Sequence, residues 1–527
     1  MKRTSILWIT VLALGWLFDF LFWGYAPGIN FAIYVVLCLV GGFLVLSLNG
    51  FKASWKALTL LVPALFFAGI TFVRQEPMIL FLSFGFTLGS MGLLAVSYLG
   101  GRWIWYSLLD YILHGLRLIG SMIARPLMFF VEARNTAAAQ DGTRSRSAAK
   151  SLWAVLRGVL IAIPIVAIFA ALLSSADLVF AHQLQGFIRL FHLENLPQYI
   201  FRGVYILIGA YALAGVLLHA VQKSRDEKLL GMDKPLVAPF LGFTEAAVVL
   251  GAVVLLFILF AVVQFRYFFG GQTNIGIQGY TYAENARRGF TELVAVAFFS
   301  LLLFLGLSVI VKRQNATRRW VFTGLGLGMV ALVGVMLYSA YQRLALYEAA
   351  YGFSRIRIYT HVFMLWLGLL LAVVVVLEVL HRERSFALAI LIASLGFTAT
   401  LAVINVDGFI VRQNVARATD GRSLDVAYLA SLSLDSIPDM VAEFQNSSIP
   451  ASTRDAVGVA LVCRELDSNG GGDANWRSFT LSNWWASRAL DQVQSQLDQF
   501  KAVHQDEPSS ILTPAGTQYD CYQTGGA

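Results

Sequence analysis

Runs of roughly twenty apolar residues recur along this chain, and that recurrence constrains the fold more than any other feature. A bilayer core of about 30 Å is crossed by about 20 apolar residues in a helix. Eleven stretches have that length: 5–23, 29–48, 56–73, 78–100, 152–174, 199–221, 242–264, 289–311, 320–341, 359–380 and 385–405. In lipid every backbone polar group must be bonded internally, so spans of this kind are helices. The expected fold class is all-α, a polytopic transmembrane helical bundle of about 11 spans with a small α-helical extracytoplasmic C-terminal domain. A mean hydropathy of +0.69 fits that class. With 58% hydrophobic residues, 13% charged and only 3 Cys, disordered, collagen-like and disulfide-scaffold classes are excluded.

The net charge of +8 hides two opposite parts. Residues 407–527 hold 8 basic and 15 acidic side chains, whereas 1–406 hold 31 basic and 16 acidic. The expected domains are therefore a transmembrane bundle over 1–406 and a soluble acidic α-helical tail over 407–527. The basic part suits anionic membrane lipids rather than nucleic acid. The first stretch follows Lys2 and Arg3 but contains Asp19, Trp16 and Trp23 and no small-residue cleavage site, so it reads as a retained span rather than a signal peptide. With the N-terminus cytoplasmic, inside segments hold 21 basic residues and outside loops 8. That asymmetry fits the positive-inside rule. An odd number of spans then leaves the C-terminus outside, and the expected location is a bacterial cell (inner) membrane, multi-pass.

Two further segments are apolar but patterned. Over 103–131, Ser107, Asp110, His114, Arg117, Ser121 and Arg125 recur every three or four residues and make one wet helical face. This predicts an interfacial helix on the inner surface, with packing under the bundle as the alternative. Phe180, Leu184, Phe187 and Phe191 predict a second surface-lying helix, outside. The Ala-, Ser-, Thr- and Arg-rich 132–151 reads as a cytoplasmic linker. Gly85/Gly89 and Gly324/Gly328 have the spacing that lets membrane helices approach closely. No internal repeat is visible.

No ionisable residue falls at a predicted midplane, where one costs at least about 2.5–3.5 kcal/mol. The chemistry-bearing side chains gather instead at outer helix ends. Tyr280, Tyr282, Glu284, Arg287, Arg288 and Glu292 precede or open one span. Arg343, Tyr347, Glu348, Tyr351, Arg355, Arg357, Tyr359 and His361 lie between two others, and Asn405, Asp407, Arg412, Asn414 and Arg417 follow the last. Guanidiniums alternating with tyrosines are what a phosphate or carboxylate site needs. The candidate ligand-binding set is Arg287, Arg288, Glu292, Arg343, Arg355, Arg357, Tyr359, Asp407 and Arg412. The competing reading is structural, with interfacial anchors and Arg–Glu staples between loops.

Three segments carry a resemblance: Tyr282 to Leu293 (YAENARRGFTEL), Tyr351 to Tyr359 (YGFSRIRIY), and Asn405 to Asn414 (NVDGFIVRQN) with Leu424 to Asp435 (LDVAYLASLSLD). Here the chain resembles a family of uncharacterised bacterial multi-pass inner-membrane proteins known only as a domain of unknown function. The resemblance covers nearly the whole membrane part and the start of the tail, implies a bacterial inner or plasma membrane, and supplies no activity. It departs at Ser354, where family members usually carry Thr.

The tail reads as helices near 424–434, 438–444 and 451–465 and a last one ending near Gln499, preceded by Trp476, Phe479, Trp484 and Trp485. These aromatics fit a small core or its contact with the bilayer. An oxidising exterior would favour a Cys463–Cys521 disulfide. No metal site is expected: Cys-x-x-Cys, His-x-x-x-His and His-Glu-x-x-His are absent, as are a P-loop and Gly-x-Ser-x-Gly, and no cofactor is implied. The leading expectation is a non-enzymatic integral membrane protein that transports or senses an anionic or amphiphilic solute at the outer face. One alternative is a transferase on a lipid-linked substrate, with Glu284, Glu292, Asp407 or His361 as acid/base groups. The other is an envelope scaffold whose tail docks an extracytoplasmic protein partner.

Overall fold

The computed structural model describes residues 3–140, 196–222, 240–269, 290–311, 315–468, 475–503 and 510–521, with a few single residues between. It is an all-α polytopic bundle. Among the described residues eleven helices are long and apolar enough to cross a membrane, and ten coincide with expected stretches. The eleventh is Leu108–Phe129, while the expected span 152–174 and the helix around 180–192 lie outside the described residues.

The helices are α1 (Thr4–Phe22), α2 (Ile29–Leu48), α3 (Trp55–Leu58), α4 (Leu61–Val73), α5 (Pro77–Ser97), α6 (Leu108–Gln140), α7 (Leu196–Gln222), α8 (Phe243–Phe269) and α9 (Phe290–Ile310). They continue as α10 (Ala316–Tyr351), α11 (Arg355–Val379) and α12 (Phe386–Ile404). The tail adds α13 (Val406–Thr419), α14 (Val426–Ala430), α15 (Ile437–Gln445), α16 (Ala451–Ser468) and α17 (Leu481–Leu497). Large aliphatic side chains such as Ile9, Val40, Val62, Leu255 and Leu365 point outward along the spans, as lipid requires.

On α6 both expected faces are present, and the polar one is largely buried, as the packed alternative implies, with Arg117 left exposed. Asp110, His114 and Ser121 are buried, while Leu109, Ile112, Leu116, Ile119 and Ile123 are exposed. Periodicity finds the two faces; against lipid, the aliphatic face turns outward and polar groups are satisfied within the protein. The helix also runs through the first nine residues of the expected linker, where the run of three alanines after Thr136 favours helix. The paired glycines differ as well: a Cβ at Gly85, Gly89, Gly324 or Gly328 would meet open space.

The chain forms two compact units. One comprises 1–23, 37–52 and 115–225. In it Leu7, Val11, Val45, Ala210, Ala214 and Leu218 form the core, and Gly15 lets α1 approach the backbone of α7 at Ile206. Asp19 is buried and takes Arg202 Nε at 2.9 Å, with the Arg202 guanidinium 5.1 Å over the Trp23 ring. On the same unit Ser121 Oγ meets His219 Nδ1 at 2.7 Å.

The other unit comprises 24–36, 53–114 and 226–527. A bundle core joins α8, α9, α10 and α11 through residues such as Leu250, Phe304, Phe322, Met329 and Leu371. A second core is continuous between span ends and tail: Ile79, Ile358, Val362 and Leu401 pack with Val411, Leu429, Met440, Val457 and Leu461. The tail helices follow the sequence expectation, and beyond them three short antiparallel strands, β1 (Lys501–Ala502), β2 (Ser510–Leu512) and β3 (Gln518–Asp520), add a small sheet in that order. Cys521, just after β3, is bonded to Cys463 on α16, with Cα atoms 5.4 Å apart.

Candidate functional site

The polar chemistry of the second unit concentrates where the ends of α4, α5, α11 and α12 meet the tail. Local sequence builds the ends. Pro77 pre-sets the first turn of α5, and Glu76 caps it, its carboxylate accepting from Met78 N at 3.1 Å and Ile79 N at 2.7 Å. Asn405, in the left-handed region at φ 54°, turns the chain from α12 directly into α13.

On this frame Arg355 donates through Nε to Asp407 Oδ1 at 2.7 Å and through Nη2 to Asp407 Oδ2 at 2.6 Å. Asp407 is fully buried and also accepts from Ser433 N at 2.8 Å, while Arg355 N donates to the Tyr428 hydroxyl at 2.9 Å. Burial pushes the Tyr428 phenol up from its ordinary pKa. Tyr359 donates its hydroxyl to Glu76 Oε1. Arg412 pairs with Asp439 at 2.5 Å. Asn414 answers both backbone groups of Phe353, accepting from N at 2.7 Å and donating to O at 2.9 Å. Arg357 donates to Gly352 O and stacks over Tyr347, 4.3 Å from its centroid.

The structure thus brings Arg355, Tyr359, Asp407 and Arg412 into one network, but each already has a partner within the protein. Arg357 is spent on Tyr347 and Gly352, and Arg343 is half-buried on α10. Glu292 is exposed at the start of α9, and Arg287 and Arg288 lie outside the described residues, as do Tyr280, Tyr282 and Glu284. His361 Nδ1 stands 3.5 Å from the buried Glu348 carboxylate.

Sequence reasoning missed the tail-side partners and a cavity. Asp435 Oδ2 accepts from Gln75 N at 2.8 Å and Glu76 N at 3.0 Å, and Gln75 Nε2 donates to Thr480 Oγ1 at 2.7 Å. Beside these bonds lies a cavity of about 350 Å³ walled by Arg74, Asn405, Leu434, Asp435, Pro438, Ser482, Trp485, Arg488, Ala489 and Gln492. Arg74 Nε is fixed on Ala402 O at 2.9 Å, and the Arg488 guanidinium lies 4.1 Å over the Trp484 ring. Burial pushes the Asp435 carboxyl up from its ordinary pKa, opposed by the Gln75 amide, the Ser482 hydroxyl and the charge of Arg74. The available signal was the Arg74-Gln75-Glu76-Pro77 run, unusually polar for a connection between two spans. No group of metal-ligating side chains occurs among the described residues.

The domain of unknown function named DUF4153 matches residues 61–443. The chain belongs to that family. Neither the curated proteins nor the solved structures contain a match. The DUF4153 segment takes in the Arg355–Asp407 network, Glu76 and Asp435, and ends within α15. Trp485 and Arg488 of the cavity wall lie on α17, beyond it.

Proposed function

We propose that this membrane protein binds an anionic or amphiphilic solute at the face that carries its tail, as the recognition step of transport or sensing. The observation that carries this reading is the cavity between span ends and tail, where two guanidiniums, Arg74 and Arg488, stand beside the Trp485 indole. Its volume of about 350 Å³ falls at the low end of the roughly 300–1,000 Å³ range of small-molecule sites. Arg355, Arg357 and Arg412, expected to bind the solute, are engaged within the protein, and we assign the binding role to the pair lining the cavity. The transferase alternative is weakened because Asp407 is locked by Arg355 and the Ser433 amide. We place the protein in a bacterial inner membrane with the N-terminus cytoplasmic and the tail outside. The Cys463–Cys521 bond supports an oxidising side for the tail, and the basic-residue asymmetry supports the same orientation.

The test is mass spectrometry of small molecules co-purifying with the intact protein. An anionic amphiphile retained by the wild type and lost from an Arg74→Gln/Arg488→Gln double variant supports the reading; identical co-purified material in both overturns it.

A further inference from the structure

The chemistry of the cavity wall goes further, and it rests on the solute-site reading above. Asp435 and Ser482 both belong to the cavity wall, where the Ser482 hydroxyl stands on the Asp435 carboxyl, so the wall carries an acidic group as well as arginines. A carboxyl in the wall favours an occupant that brings a donor to it. Across the same cavity the guanidiniums supply donors only. Arg74 commits Nε to Ala402 O, so its terminal nitrogens are those that remain for a ligand. The occupant must therefore present an anion with several acceptor oxygens and, within a few bonds of it, an N–H or O–H group.

The surroundings identify the source of that ligand. Arg74 follows the last residue of α4, and Pro77 opens α5, so the cavity floor lies at the depth where spans end. Phe479, just before α17, accepts a backbone bond from Ile29 N at 2.9 Å, which pins this part of the tail to the start of another span. At that depth the tail presents indoles rather than burying them: Trp476 is 53% exposed, Trp484 39% and Trp485 40%. Guanidiniums accompany them, Arg477 4.6 Å over Tyr25 and Arg488 over Trp484. Half-exposed tryptophans with arginines mark headgroup level in a bilayer. A solute from bulk water has no need of such a collar.

We propose that the cavity is a phospholipid headgroup site, in which Arg74 and Arg488 hold the phosphate and Asp435 with Ser482 accepts from a hydroxyl or ammonium group beside it. The acyl chains remain in the bilayer below the tryptophans. The arrangement selects headgroups that carry a donor, glycerol or ethanolamine, over choline, whose quaternary nitrogen has none.

The test reconstitutes the full chain in vesicles containing equal parts of phosphatidylglycerol, phosphatidylethanolamine and phosphatidylcholine, and counts retained lipids by native mass spectrometry. The wild type is expected to retain a glycerol or ethanolamine lipid about tenfold over the choline lipid, the ratio that about 1.4 kcal/mol gives. Asp435→Asn should narrow that preference while retention of all three stays up, and Arg74→Gln/Arg488→Gln should lower retention of all three. Because the lipid preference is read on the wild type, a variant that fails to fold leaves the test intact. Inorganic phosphate added in excess separates the sources. Displacement of lipid by phosphate, or phosphate bound with no lipid retained, overturns the lipid site but leaves the anionic-solute reading standing. Equal retention of the three lipids overturns the donor-selective site. Neither lipid nor phosphate bound by the wild type overturns both.

Discussion

Arg355 grips Asp407 with two arms of one guanidinium, at 2.7 and 2.6 Å, and thereby joins the first turn of a membrane span to the first turn of the tail. The acid is fully buried and the base a quarter exposed. Breaking such a pair by removing one member leaves the other uncompensated, which costs about 3–5 kcal/mol. Arg355→Ala and Asp407→Ala should each lower thermal stability in detergent and reduce membrane abundance. Arg357→Ala, which loses a ring stack and a backbone bond, should cost only about 1–2 kcal/mol. Unchanged abundance for Asp407→Ala would contradict the stapling role.

Glu348 makes the opposite case. It is buried, its Oε1 has no partner, and its nearest base is His361 at 3.5 Å. Glu348→Gln replaces a desolvated carboxyl without breaking a close pair. The thermal midpoint is expected to stay level or rise, whereas Asp407→Asn should lower it; a large loss for Glu348→Gln would show that its carboxyl holds the helix pair together.

Asp435 makes the seam sensitive to pH. Burial raises its carboxyl above the ordinary value, so the folded chain holds that proton more tightly than the unfolded one. Its stability contribution is complete below the usual Asp pKa of about 4 and is lost as pH rises through the raised value. The tail should therefore dock more firmly in acid than above that raised value. Asp435→Asn retains a carbonyl oxygen for the Gln75 and Glu76 amides and should flatten this slope in thermal unfolding followed upward from about the usual Asp pKa of 4. A slope unchanged in the variant would assign the effect to another group.

Cys463 and Cys521 are 58 residues apart in sequence, and the bond fastens the last strand to α16. On the loop-entropy account a bond over that length stabilises by about 4 kcal/mol. Cys463→Ser should loosen the C-terminal sheet, read as faster proteolysis after Leu497. In intact, unreduced cells neither thiol should take up a maleimide; free labelling of both would contradict the bond and with it the outer placement of the tail.

The spans were legible because lipid imposes a simple demand, twenty apolar residues, that each segment states by itself. Arg355, Asp407, Tyr359 and Arg412 were legible as charged or amphipathic residues at span ends. Their partners were not: Glu76 lies 283 residues from Tyr359, and Asp435 lies 360 from Gln75. Nothing periodic links such segments, and only the folded chain brings them together. The face of α6 shows a different limit, since its pattern was visible but did not choose between an interfacial and a packed helix. Trp484 and Trp485 stood out in sequence as aromatics, but their half-exposure is a tertiary fact, and Arg488 carried no signal of its own.

The cavity itself offers the most direct measurement: cryo-electron microscopy of the full chain in a lipid nanodisc, at a resolution that shows the Arg355–Asp407 pair. The account predicts density between Arg74, Arg488 and Asp435 that continues past Trp485 toward the acyl chains. A clearly resolved cavity holding only water, with Arg74 and Arg488 turned away from it, would contradict the account.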